Sequence, residues 1–192
     1  MAGLRRVVAP AEVLSLDEVK LHLRDDRLSE EPVIARQLRV AHRVVEEKIR
    51  PYALGVQTWE QALDSWPSGA LALPLQPLVA VVSITAHGDD GSSLVLPSTA
   101  DVSDVWAEPG RVWITPPANA PALRRAAGVV IRFTCGWDPA EVPEPIVEAC
   151  AKLTAHAFMF RGDDQNPDTT VVGPTWPPEV EELLEPWITV RI

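Results

Sequence analysis

The chain has 192 residues, of which 46% are hydrophobic, so it is long enough to form one domain with a buried core. Its formal net charge of -10 argues against nucleic acid or an anionic membrane surface as its main partner, because phosphate contacts need lysine and arginine. No run approaches the roughly 20 apolar residues of a membrane span, and we expect no signal peptide. The two cysteines, Cys135 and Cys150, cannot form a disulfide framework, so we expect buried thiols.

The first helix is predicted over about residues 15–24. Ser15 and Glu18 form a capping box, in which each side chain accepts a hydrogen bond from the other residue's backbone N–H. Leu14 and Val19 are spaced as the hydrophobic staple that accompanies such a cap. The pattern therefore marks the start of this helix more clearly than its end.

A second, longer helix is predicted over about residues 30–50, since Pro32 is tolerated in a first turn and Pro51 ends it. One apolar stripe recurs at helical spacing: Ile34, Leu38, Ala41, Val45 and Ile49. Three further valines widen it: Val33, Val40 and Val44. Charged side chains are placed on the other faces: Arg36, Arg39, Arg43, Glu46 and Glu47. Such a broad stripe can serve both a core and a neighbouring subunit.

Residues 53–136 change to a strand pattern and predict a β-rich insertion of five to seven short strands. The predicted strands cover residues 56–63, 79–85, 93–96, 102–106, 111–114 and 128–135. Residues 71–78 read as an extended edge segment, because prolines cannot donate to a central ladder. Turns are expected at residues 88–91 and at Pro109-Gly110.

The third helix is predicted over about residues 143–161. It begins on Pro143-Glu144-Pro145, directly after a β-branched strand that stops at Gly136-Trp137. Its predicted apolar stripe contains five residues: Ile146, Cys150, Leu153, Ala157 and Phe160. Ala149 and Phe158 extend that stripe.

Residues 165–192 form an acidic, proline-rich tail that also contains Trp176 and Trp187. Proline-rich tails are normally disordered, so the apolar residues in this one indicate a segment that docks on something. Two interpretations remain open for the tryptophans: anchoring an interface, or packing back on their own domain. The candidate partner-binding residues of this tail are Trp176, Val180, Leu183, Leu184, Trp187 and Ile188.

The catalytic and ligand-binding patterns that we sought are missing from the sequence. The four histidines stand singly: His22, His42, His87 and His156. No P-loop, dinucleotide-binding or nucleophile-elbow motif occurs, so we predict no catalytic, cofactor-binding or metal-binding residue. The acidic residues near the 88–91 turn fit no EF-hand loop. Glu144 and Glu148 are explained by the positive end of the third helix.

Several segments, in this order, resemble a known family: residues 16–23, 46–49, 58–59, 73–78, 81–84, 129–137 and 142–146. The family is the head-tail connector, or adaptor, proteins of long-tailed phages, prophages and gene transfer agents. The resemblance covers about residues 14–164 and is most specific where the Gly136-Trp137 turn precedes Pro143-Glu144-Pro145. This chain has Phe158 and Phe160 where many relatives carry tyrosine, which is a conservative change.

The resemblance implies an α+β fold: a three-helix bundle with the β-rich insertion between its second and third helices. We therefore expect an N-terminal arm over residues 1–13, a connector domain over 14–164 and the docking tail over 165–192. The implied function is a ring, usually dodecameric, under the portal protein in the neck of a virion or phage-like particle. It would extend the DNA channel, let DNA pass without specific binding, and meet the stopper and tail-side proteins. Synthesis in the bacterial cytoplasm is expected, with no membrane partner.

Two other classes of function were weighed against the adaptor. A monomeric protein-binding module of a prophage region, regulatory or chaperone-like, would explain the tryptophans without a ring. An enzyme, such as a hydrolase using scattered carboxylates, has neither a paired motif nor a cofactor loop in its favour. We therefore expect no enzymatic activity and no cofactor.

Overall fold

The computed structural model describes residues 3–23, 30–96, 111–160 and 176–188. The fold is α+β, as the sequence predicts, with four α-helices and antiparallel sheets in the described parts of the chain. It divides into two compact units. The sheet unit comprises Met1–Ala11 and Pro51–Asp138, and the helical unit comprises Glu12–Arg50 and Pro139–Ile192.

The sheet unit contains one five-stranded antiparallel sheet and one two-stranded sheet. The strands are β1 (Leu4–Val8), β2 (Gln57–Leu63), β3 (Leu71–Ala72), β4 (Leu78–His87), β5 (Ser93–Leu96), β6 (Arg111–Val112) and β7 (Val129–Cys135). The large sheet has the order β1-β2-β7-β4-β5, and β3 pairs with β6. The predicted strand at 102–106 and the turn at Pro109-Gly110 lie outside the described residues.

Strand β1 occupies one edge of the large sheet, within the segment that the sequence presents as an extended arm. It pairs with β2 so that Leu4 lies opposite Gln61 and Arg6 opposite Trp59. The Arg6 guanidinium lies 4.8 Å from the centre of the Trp59 ring, a cation–π contact. These contacts tie residues 4–8 to a strand more than 50 residues later in the chain.

Strand β7 is the central strand, because it pairs with β2 on one side and β4 on the other. Alternate residues of β7 are fully buried: Val129, Ile131, Phe133 and Cys135. The remaining core residues of the sheet unit gather around them: Ala53, Trp59, Leu73, Leu75, Val81, Ile84, Leu96, Val112 and Ile114. Alternation of buried and exposed side chains is what one covered sheet face requires.

The helical unit contains α1 (Leu16–Leu23), α2 (Glu31–Lys48), α3 (Glu144–Met159) and α4 (Pro178–Leu184), which is followed by a short 310 turn at Glu185–Trp187. Helix α2 packs against α3, α1 contacts both, and α4 packs against α3. Helix α3 therefore contacts each of the other three helices. The chain leaves this unit after α2 and returns just before α3, and the segment in between supplies the described strands of the sheet unit other than β1.

The capping box that begins α1 is confirmed. The Ser15 backbone N–H donates to Glu18 Oε2 at 2.8 Å, and the Glu18 N–H donates to Ser15 Oγ at 3.2 Å. These hydrogen bonds to Ser15 lower the pKa of the Glu18 carboxyl, because they favour its charged form. Leu14 and Val19 are both buried, as the staple predicts.

The predicted stripe of α2 is buried at all five positions, Ile34 to Ile49. The prediction for Glu46 was wrong, since its side chain is buried although the sequence placed it on another face. Glu46 follows Val45 and precedes Ile49 by three positions, so it lies at the border of the buried stripe. Of the widening valines, Val40 is half exposed.

The stripe predicted for α3 is correct at its start and wrong at its end. Ile146 and Cys150 are buried, but Phe160 is 56% exposed. The buried face turns instead through small residues, which allow neighbouring helices to approach closely: Ala149, Ala151, Thr154 and Ala155. The Thr154 hydroxyl donates to the Cys150 carbonyl oxygen at 2.7 Å, so its burial leaves no donor unsatisfied.

The turn after β7 depends on Gly136, whose φ is +105°. A methyl group at this position would overlap the carbonyl oxygen of Gly55, so both the backbone conformation and the space exclude a larger residue. Beyond it, the Trp137 ring stacks on Tyr52 with centroids 5.4 Å apart.

We expect Gly136→Ala to lower the free energy of unfolding by about 3 kcal/mol or more, because strain and overlap act together. Gly91→Ala is the matched control. Gly91 also has a positive φ but has open space around it, so only about 1–2 kcal/mol should be lost. Denaturant unfolding measures both, and equal losses would contradict the role given to the Gly55 contact.

Candidate interaction surfaces

The described residues offer little for catalysis. Burial raises the pKa of the Cys150 thiol to about 12, so it is not a nucleophile at neutral pH. Burial likewise lowers the pKa of His42, against a smaller opposing effect of Glu12. No group of three or more histidine, cysteine, aspartate or glutamate side chains in the described parts could hold a metal ion. None of the described helices is long and apolar enough to cross a membrane.

An open cleft of about 630 Å³ lies in the sheet unit. Its lining residues are Gly3, Ala62, Leu63, Asp64, Ser65, Pro67, Leu71, Ala126 and Ala127. Asp64, its single carboxylate, accepts the backbone N–H of Ala127 at 2.9 Å. Since Ala127 has a positive φ, this hydrogen bond supports an unusual loop conformation. We therefore assign Asp64 a structural role.

The outer face of the large sheet carries an ion cluster that spans three strands. The Glu60 carboxylate on β2 accepts a hydrogen bond from the Arg5 guanidinium of β1 at 2.7 Å and another from Arg132 Nε of β7 at 3.0 Å. The Arg132 hydrogen bond, with Arg5 contributing, holds the pKa of the Glu60 carboxyl below its ordinary value. The Glu60 side chain is 14% exposed, but Arg5 and Arg132 are 75% and 44% exposed, so water screens both pairs as it does other surface pairs.

The six tail residues predicted to bind a partner fall into two groups. Val180 and Leu184 are fully buried on α4, which packs against α3. Trp176, Leu183, Trp187 and Ile188 are half-buried. The first pair thus holds α4 to its own helical unit, and the other four residues retain accessible surface. Binding of a partner by these residues stays a prediction.

Three further contacts hold the α4 segment on the helical unit. Lys152 of α3 donates to Glu179 at 2.8 Å, which raises the pKa of Lys152 and lowers that of Glu179. Lys48, at the end of α2, lies 3.4 Å from a Glu181 carboxylate oxygen. The Lys48 ammonium also lies 5.2 Å from the centre of the Trp176 ring. The segment therefore packs on its own unit, and whether Trp176 also anchors a partner stays a prediction.

Large apolar side chains stay exposed on both units. Those of the helical unit are Leu21, Val40, Met159 and Phe160. Those of the sheet unit are Val7, Val8, Val79, Val82, Val95 and Trp113. Sequence reasoning missed Met159 and assigned Phe160 to the apolar stripe. Both residues stand at the C-terminal end of α3, Met159 as its last residue and Phe160 as its C-cap.

Three solved structures of gene transfer agent particles contain chains with a similar fold. A chain in the neck of an empty particle, computed with C6 symmetry, is 24% identical with a TM-score of 0.73, over 99% of this chain and 97% of that chain. A chain in the virion of a native particle is 23% identical with a TM-score of 0.74, over 98% and 96%. A chain in the neck of a native particle, computed with C12 symmetry, is 24% identical with a TM-score of 0.71, over 99% and 97%.

These likenesses establish a shared fold over nearly the whole length of each chain. No protein-family model matches the sequence, and no curated protein matches it.

We expect Glu60→Gln to lower the free energy of unfolding by about 1 kcal/mol at neutral pH, because two arginines lose their charged partner. Since the folded-state pKa is depressed, the stabilisation is present above the unfolded-state pKa and is lost as pH falls through the folded-state pKa. The difference between wild type and variant should therefore shrink in acid. Exposed Asp89→Asn is the control, and a pH-independent difference for Glu60→Gln would contradict this explanation.

We expect Leu184→Ala to lower the free energy of unfolding of α4 by about 2–5 kcal/mol, because removing a fully buried side chain leaves a cavity. Hydrogen exchange should become faster at the amides of α4. Glu182→Ala, an exposed neighbour, should change stability by no more than about 0.5 kcal/mol. If the amides of α4 exchange at the same rate in both variants, Leu184 does not hold α4 in place.

Proposed function

We propose that this chain is a structural adaptor in the neck of a phage-like particle, where copies form a ring under the portal. The ring extends the DNA channel and joins the capsid to the stopper and tail. The observation that carries the proposal is the likeness of fold to chains of gene transfer agent particles, two of them in neck structures. The fold covers 97% of each of those two chains, so no large part of them lacks a counterpart here.

The order of the helices and strands along the chain also supports the proposal. Helices α1, α2 and α3 form the body of the adaptor, and the β-rich insertion between α2 and α3 forms the sheet unit together with β1 from the N-terminal segment. Helix α4 is added to that body from the tail. A body with the sheet unit inserted between two of its helices is what the resemblance to connector proteins leads one to expect.

The charge of the chain supports passage of DNA through the ring. Its net charge of -10 repels the phosphate backbone, so DNA can move past without specific binding. The same property suits a chain that acts by position and contact, with no enzymatic activity, no cofactor and no membrane partner. We propose that it is made in the bacterial cytoplasm and functions in the particle.

The tail contributes the contact with the portal or with a neighbouring subunit. In this proposal Val180 and Leu184 fix α4 on its own helical unit, and the four half-buried residues of the tail face the partner. Large aromatic side chains contribute much of the affinity at protein interfaces. The proposal therefore assigns Trp176 and Trp187 as anchors and gives Leu183 and Ile188 the surrounding apolar contact.

The direct test mixes the purified full chain with its portal oligomer. Mass photometry and electron microscopy should detect added mass that corresponds to a ring of copies stacked on the portal. A chain that stays monomeric and ignores the portal would sink the adaptor proposal and favour the monomeric binding module.

We expect the Trp176→Ala, Trp187→Ala double variant to weaken attachment to the portal by about tenfold or more, because two aromatic anchors are lost. Trp113→Ala removes an exposed tryptophan of the sheet unit and is the control. Substitution is preferable to truncation after Asp164, because truncation also removes the buried Val180 and Leu184. Unchanged attachment by a folded double variant would defeat the role of the tail and leave the adaptor proposal standing.

A further inference from the structure

Helix α2 carries a row of arginines on its outer side. Arg36, Arg39 and Arg43 are spaced by three and four residues, so they share one face of the helix, and Arg50 follows at the same angle just beyond its end. This face lies opposite the buried stripe of α2, and every one of these arginines is exposed. The half-exposed Val40 lies among them. We call Arg36, Arg39, Val40 and Arg43 the arginine face.

The three lysines of the helices have carboxylate partners. Lys20 pairs with Glu31, Lys48 with Glu181, and Lys152 with Glu179. No ion pair involves the arginine face within the described residues, although acidic residues outnumber basic ones by 27 to 17 in the chain. Like charges three and four positions apart destabilise a helix. Arg43 has a carboxylate four positions later, Glu47, but forms no ion pair with it in the described structure, so the charge of the row remains available to a partner outside the chain.

The same helical unit carries a complementary acidic surface on α4. Glu182 and Glu185 are exposed and three positions apart, and neither takes part in an ion pair in the described parts of the chain. The half-buried Leu183 lies between them. Helix α4 packs against α3 and approaches α2 at the Lys48–Glu181 ion pair. Neither Glu182 nor Glu185 pairs with the arginine face of the same copy in the described structure.

We propose that the arginine face of one copy binds the Glu182–Glu185 surface of α4 on the next copy. This inference rests on the ring of the proposed function and names the contact that closes it. A ring needs two different surfaces on each copy, so that each contact repeats by rotation. Guanidinium groups bind carboxylates through paired hydrogen bonds, so the arginine face and the two glutamates have matching chemistry.

A second copy of the chain fits the arginine face better than nucleic acid does. Duplex DNA would meet a chain with a net charge of -10, and that repulsion opposes binding through a single short row of arginines. A second copy instead brings unpaired carboxylates of its own.

The test exchanges the charges of the two surfaces. Arg39→Glu with Arg43→Glu should weaken self-association at low salt by about tenfold or more, and Glu182→Lys with Glu185→Lys should do the same, since each places like charges together. The quadruple variant should associate again, because its reversed surfaces are complementary. An equimolar mixture of the two double variants should also associate, although each alone does not.

Sedimentation velocity at low and high salt measures association of the free chain, and mass photometry counts the copies bound per portal. Arg124→Glu with Arg125→Glu gives the same change in net charge on the sheet unit and should associate like the wild type. Circular dichroism checks that every variant is folded.

The inference is overturned if the wild type does not self-associate by either measurement, or if the quadruple variant associates no more tightly than the double variants. It is also overturned if the Arg39→Glu, Arg43→Glu variant associates like the wild type. A loss of duplex DNA binding alone in that variant would overturn it as well. These results differ from failure of the adaptor proposal. That proposal fails if the chain never binds the portal, whereas the inference alone fails if portal binding persists and the charge variants behave like the control.

Discussion

The sheet unit depends on the pairing of β7 along both of its edges. Strand β2 and strand β4 each hydrogen-bond to it, so neither half of the large sheet is complete until residues 129–135 are in place. Its buried side chains also supply the middle of the core, with Phe133 between Trp59 on one neighbour and Val81 on the other. The last strand in the chain is thus the central strand of the sheet, and Gly136 lets the backbone turn directly after it.

Helix α3 has the corresponding position in the helical unit, because α1, α2 and α4 all contact it. Its buried face consists largely of alanine, threonine and cysteine, with Ile146 and Phe158 as the large residues. Small residues let helices approach closely, and close approach buries area without large side chains. Helix α2 brings the large aliphatic side chains to this packing, from Ile34 to Ile49. One consequence is that the outer faces of α2 and α4 remain available for other contacts.

Local signals in the sequence predicted the parts of the fold that local interactions determine. The Ser15–Glu18 cap, the α2 stripe and β7 are set by residues within a few positions of one another, and each is found in the structure. Pairing of β1 with β2 could not be predicted, because it joins residues more than 50 positions apart. The apolar residues of the tail predicted docking, but composition alone does not choose between a partner and the chain's own α3. The arginine row was visible in the spacing, but only the structure shows that the described carboxylates pair with other groups or with none of these arginines.

We propose that the chain joins the head of a particle to its tail through contacts made by its helical body and its charged surfaces. Deletion of its gene in the producing bacterium, followed by electron microscopy of the released particles, tests this most directly. The account predicts separate heads and separate tails, with attachment restored by supplying the chain in trans. Particles that still carry tails in the absence of the chain would contradict it.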